Sequence, residues 1–219
     1  MGLLRQGLLG IILSIPAVMI AFTAQGYGKA FVADKLGDKT PRFQGRLTLN
    51  PMAHLDPIGF LMILIFHFGW TKPVETNPSA YKRKYEDSIK VSIAPPLANL
   101  IVAFIATILF VLFSKFFGNI LPENIYIVLA GMLSAIITVN IGLSIFTLLP
   151  LPGLAGFDIF RDLSPKNFYK LADKIYQYQI FILLGVIFFN NYIFPFISFI
   201  QSYIYFFFLR IVTFIFSFI

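Results

Sequence analysis

Long apolar blocks alternate with short polar segments along the whole chain. The first block runs from Met1 to about Val32 and carries no charge between Arg5 and Lys29. That run exceeds the ~7–15-residue core of a signal peptide, and no small-x-small cleavage site precedes a polar start, so it predicts a retained membrane helix. Pro16 predicts a kink within it. Asp34 to Asp56 is polar, and its Leu47, Thr48, Leu49, Asn50 and Pro51 predict a short extended piece ending in a turn. Pro57 to Phe68 is apolar again but only about a dozen residues long. As a helix it would reach ~18 Å against a ~30 Å hydrocarbon core, which predicts an insert that dips into the bilayer or packs inside the bundle.

Two further spans are predicted at Val91 to about Phe113 and at Ile125 to Leu149. Pro95 and Pro96 are placed near the start of the first of these, where proline is tolerated. The stretch 175–219 is apolar and rich in phenylalanine, and its break at Asn190, Asn191 and Pro195 predicts a tight helical hairpin. Its rings are read as facing lipid or packing between helices.

The pattern therefore predicts an all-α polytopic membrane protein with about five transmembrane helices plus one short membrane-associated insert, in a single integral membrane domain over 1–219. Composition agrees: 58% of residues are hydrophobic and 12% charged, where a soluble domain has about a quarter charged. The net charge of +7 could suggest nucleic acid. However, the basic residues fall in the short polar segments: Lys35, Lys39, Arg42 and Arg46, then Lys72, Lys82, Arg83, Lys84 and Lys90, then Arg161, Lys166, Lys170 and Lys174. The positive-inside rule accounts for them as cytoplasmic loops of a multi-pass cell-membrane protein, with the N-terminus outside and Arg5 as one charge against that orientation. The implied partner is the lipid bilayer and not nucleic acid. The absence of cysteine excludes disulfides and cysteine-ligated metal.

Candidate chemistry concentrates at the exit of the first helix. Gln25 and Lys29 stand one helical turn apart with Gly26 and Gly28 between them, and polar groups in a membrane helix usually mark a site. Several blocks extend the pattern downstream: Lys35-Leu36-Gly37-Asp38, Gly45-Arg46-Leu47-Thr48-Leu49-Asn50-Pro51, and His54-Leu55-Asp56-Pro57-Ile58-Gly59. Gly69-Trp70 with Lys72-Pro73-Val74, Pro96-Leu97-Ala98-Asn99, and Leu148-Leu149-Pro150-Leu151-Pro152 follow in order. As an ordered set they resemble the compact bacterial branch of the site-2 protease family, intramembrane zinc metalloproteases, over roughly residues 15–160. The C-terminal hairpin adds no motif of its own.

The resemblance implies a first-helix HExxH motif, whose two histidines at i and i+4 hold zinc while the glutamate activates the metal-bound water. Its five positions fall on Gln25, Gly26, Tyr27, Gly28 and Lys29. The family's third ligand is an aspartate in an LDG turn, which here reads Leu154-Ala155-Gly156. Every protein ligand and the base are absent, so the chain resembles a catalytically degenerate member, and no cofactor is expected. Of the two histidines, His54 is read as a turn residue with substrate contact as the competing role, and His67 as packed or interfacial. Asp158 lies one turn beyond Ala155 and could face the old site, where an ion pair with Lys29 competes with a Lys29 that snorkels to the interface. By the resemblance, Asn99 and Asn140 could help to bind substrate backbone; interhelical hydrogen bonding is the plainer role. Three functions follow. One is a pseudoprotease that binds transmembrane segments or a partner protease. The others are an active zinc metalloprotease with a non-standard site, which would restore zinc as a cofactor, and a membrane scaffold or transport-like protein.

Overall fold

The computed structural model describes residues 2–66, 70–188 and 190–218. The chain forms α1 (Gly2–Lys35), α2 (Thr40–Phe43), α3 (Pro57–Phe66), α4 (Lys84–Phe117), α5 (Glu123–Thr147), α6 (Ala155–Leu163), α7 (Pro165–Gln177), α8 (Gln179–Phe188) and α9 (Asn190–Ile215), with short 3-10 turns between them. There is no strand among the described residues, only an isolated antiparallel bridge between Leu55 and Thr71. Four helices are long and apolar enough to cross a membrane: Gly10–Lys35 in α1, α4, α5, and Asn191–Ile215 in α9. The protein is an all-α polytopic membrane protein.

Three expectations change in detail. In the predicted hairpin, α8 has ten described residues and α9 supplies the long span, so the described residues hold four long spans against the expected five or so. Leu47 and Thr48 form bends and Asn50 is extended before the 3-10 turn Pro51–Ala53, with the Asn50 carboxamide accepting from the Met52 N–H at 3.1 Å. Pro95 and Pro96 lie well inside α4, because that helix begins at Lys84. Its polar first turns are stabilised outside the apolar run by Glu86 and Asp87 near the N-terminus and by the pairs Arg83–Glu86 at 2.8 Å and Lys90–Asp87 at 2.7 Å. His67 lies outside the described residues.

The bundle core is α1, α4 and α5, and small residues hold it together. Ala17, Ala21, Ala30 and Ala33 of α1 are fully buried, as is Ala103 of α4. A methyl group on Gly28 would come within 2.9 Å of the Ala98 side chain and 3.2 Å of the Ala94 carbonyl oxygen, so only glycine allows this approach. The paired prolines free the Val91 and Ser92 carbonyls from the helical ladder of α4. One turn on, the Ser144 hydroxyl of α5 donates to the Pro96 carbonyl at 2.9 Å and ties the two helices. The fourth span packs on this core through Gln201, which donates to the Thr138 carbonyl at 3.1 Å, and through the edge-on rings of Phe208 and Phe104.

At the polar end of α1, the loops are fastened by two carboxylates. Asp34 receives Arg42 in a bidentate pair at 2.8 Å. Asp38, fully buried, accepts from the Thr40 N–H at 2.9 Å, the Asn77 N–H at 2.6 Å and the Tyr81 hydroxyl at 3.5 Å. Burial pushes the Tyr81 phenol up to about 12, so it stays a donor. Asp38 thereby joins segments 39 residues apart. Replacing it with alanine strands these buried donors, and Asp38→Ala is expected to lower stability by roughly 2 kcal/mol, read as a reduced unfolding midpoint in detergent.

Candidate functional site

The exit of α1, the segment Trp70–Val74, the first third of α4, the end of α5 and the start of α6 enclose a half-open cavity of about 220 Å³. From α1 it is lined by Phe22, Gln25, Gly26 and Lys29, whose spacing of three to four residues puts them on one helix face. From α4 come Ser92 and Pro95, and from α5 Leu143, Phe146 and Thr147. The remaining wall is Gly153, Leu154, Ala155 and Asp158.

That last wall depends on the proline-rich turn. Gly153 adopts φ +89°, a left-handed conformation that favours glycine, and the Leu154 N–H bonds back to the Leu151 carbonyl at 3.0 Å. The chain then starts α6 directly beneath the end of α5. A side chain on Gly156 would run into the Leu148 carbonyl, so glycine is required beside Ala155. All four positions read from the sequence as degenerate, Gln25, Gly26, Lys29 and Ala155, therefore meet at one cavity together with Asp158.

Three of the other sequence candidates do not line it. Asn99 and Asn140 are fully buried on α4 and α5. The Asn140 amide nitrogen donates to the Ile136 carbonyl at 2.8 Å while its oxygen has no partner, and neither polar atom of the Asn99 side chain has one. His54 is also fully buried and sits directly over Gly26, where any side chain on residue 26 would meet the imidazole ring. His54 Nε2 lies 2.8 Å from the Thr48 carbonyl oxygen and so carries the proton, which leaves Nδ1 as a buried acceptor without a partner. Its backbone carbonyl accepts from the Lys72 N–H at 2.9 Å, beside the Leu55–Thr71 bridge, and Gly59 lets Trp70 pass close to α3. The turn thus positions the Trp70–Val74 wall.

Sequence reasoning missed Arg161, Ser92 and Thr147. Arg161 bonds Asp158 at 2.9 Å and Asp162 at 2.9 and 3.0 Å, and Asp162 also accepts from the Ser88 hydroxyl at 2.5 Å, which anchors α6 to α4. The Asp158–Arg161 spacing of i, i+3 was a visible signal for that pair. Ser92 and Thr147 are ordinary small polar residues in apolar helices and carried no signal. Lys29 and Asp158 face the same cavity but make no ion pair within 4 Å; the carboxylate is engaged by Arg161 instead.

The donor set does not fit zinc, which takes about three N, O or S ligands. Ala155 and Gly26 offer none, Gln25 and Lys29 are not among the His, Cys, Asp and Glu side chains that ordinarily bind zinc, and Asp158 is held by a guanidinium. Among the described residues no three His, Cys, Asp or Glu side chains are grouped as metal ligands.

Comparison with known proteins finds a relative in Bacillus subtilis strain 168, named "Putative zinc metalloprotease YwhC", 42% identical over 148 residues. The match covers 68% of this chain and 67% of the relative. No protein-family model and no solved structure matches the chain.

Burial holds the His54 pKa below its ordinary value of 6.5, with Arg46 adding to the effect and the Thr48 hydrogen bond opposing it. An unfolded chain then takes up the proton more readily than the folded one. His54 is expected to leave stability unchanged above about pH 6.5 and to reduce it as pH falls below that value. In thermal unfolding between pH 5 and 8, His54→Gln should remove this part of the acid-side decline.

Proposed function

Because the chain belongs to the zinc-metalloprotease-like family that includes YwhC, we propose that it is a noncatalytic member of the site-2 protease type, a pseudoprotease of the cell membrane that binds transmembrane segments of other proteins. One observation carries this reading. The positions where the resemblance places two ligands, the base and the third ligand converge on one cavity, and they hold Gln25, Gly26, Lys29 and Ala155. The enclosure is kept while the groups that would hold a metal and activate water are not.

The remaining parts suit binding. Leu143, Phe146, Phe22 and Val74 give apolar lining, Trp70 stands at the edge and is partly exposed, and Thr71, Ser92 and Thr147 supply hydroxyls. A mostly apolar enclosure with a few polar groups is the usual composition of a binding pocket. A segment entering it would meet no set of side chains that ordinarily holds zinc and activates a water.

Two measurements test the reading. Protein purified without chelator is expected to contain well under one zinc per chain by elemental analysis and to leave a model transmembrane substrate intact. About one tightly held zinc per chain with cleavage of that substrate would instead establish an active metalloprotease with a non-standard site. A photo-crosslinker at Thr71 in native membranes is expected to capture a recurrent single-span partner. Its failure to capture any would favour a scaffold that inherited only the fold.

A further inference from the structure

We propose that the cavity is a carboxylate-binding site, in which the Lys29 ammonium and the Gln25 side-chain amide receive a carboxylate presented by a bound peptide segment. This rests on the reading of the chain as a segment-binding protein and names the chemistry the segment offers.

The first ground is unused donor capacity. Gln25 is 7% exposed, and its amide nitrogen is buried with no hydrogen-bond partner. Lys29, one turn further along α1, lines the same cavity and makes no hydrogen bond or ion pair among the described residues. The Gln25 amide is a buried donor that carries its full desolvation cost, and the half-buried Lys29 adds a cation on the same helix face, so the pair gains most from an acceptor with two oxygens.

The second ground is that the carboxylates nearby are already engaged. Asp158 is held by Arg161 at 2.9 Å, and Asp162 by Arg161 and Ser88. The third ground is space. A volume of about 220 Å³ equals roughly seven water molecules at ~30 Å³ each, room for a carboxyl group on a short side chain or at a chain end. In this arrangement, a fixed ammonium stands where a metal-binding histidine would have stood, and it orients an anion without activating water.

The test uses the purified full-length chain in lipid nanodiscs and three fluorescent apolar hexapeptides: one with a free C-terminal carboxylate, the same peptide as its amide, and the amide with one internal aspartate. At least one carboxylate peptide is expected to bind about tenfold tighter than the plain amide, as a charge-assisted bidentate contact allows. The tighter of the two identifies whether the anion comes from a chain end or a side chain. The preference should disappear in Lys29→Met and persist in Lys29→Arg. If Lys29→Met does not fold, Gln25→Met should reduce the preference by about threefold, the loss of one hydrogen bond.

Equal binding of all three peptides overturns the carboxylate assignment and leaves segment binding in place. A preference unchanged in Lys29→Met, or in Gln25→Met, also overturns it. No binding by any peptide overturns it as well, and the crosslinking result at Thr71 then decides the broader reading independently.

Discussion

The close approach of α1 to its neighbours governs the rest of the molecule. At Gly28 the helix comes so near α4 that a single methyl group would press on Ala98 and the Ala94 carbonyl. Half a turn earlier, Gly26 admits the imidazole of His54 against the bare backbone. In lipid, apolar surface has little drive to leave its surroundings, so helices associate through tight van der Waals contact and hydrogen bonds. The two glycines supply the first. The Ser144 bond to Pro96 supplies one of the second and uses an acceptor beside the kink-prone prolines.

This packing also sets the half-open cavity. Its walls are set by contacts made elsewhere: Gly156 beneath the end of α5, Arg161 and Ser88 on Asp162, and the His54 turn behind Trp70. None of these contacts needs a metal. The frame therefore stands whatever side chains positions 25, 29 and 155 carry. Gly26 goes further, because the space a side chain there would need is already filled by His54.

Much of the fold was legible in the order of the chain, for a reason specific to membranes. A segment crossing hydrocarbon must be apolar and must satisfy its own backbone, so long apolar runs announce helices directly. The same logic misplaced the start of α4, since apolarity reports bilayer depth and says nothing about where ion pairs such as Lys90–Asp87 prolong a helix in water.

At the site, residue identity along the chain was enough to read that Gln25, Gly26, Lys29 and Ala155 offer none of the His, Cys, Asp or Glu groups that ordinarily bind zinc, because ligand chemistry belongs to each side chain wherever it lies. The spacing of Gln25 and Lys29 likewise followed from helix geometry alone. Only the tertiary structure decided that these positions share one cavity with Asp158, that Arg161 and not Lys29 holds that carboxylate, and that Asn99, Asn140 and His54 are packed away from the lining. Those outcomes depend on which of several competing partners comes within hydrogen-bond reach when distant segments pack. Reach of that kind is set by helix contacts such as Gly28 on Ala98, and linear order does not contain it.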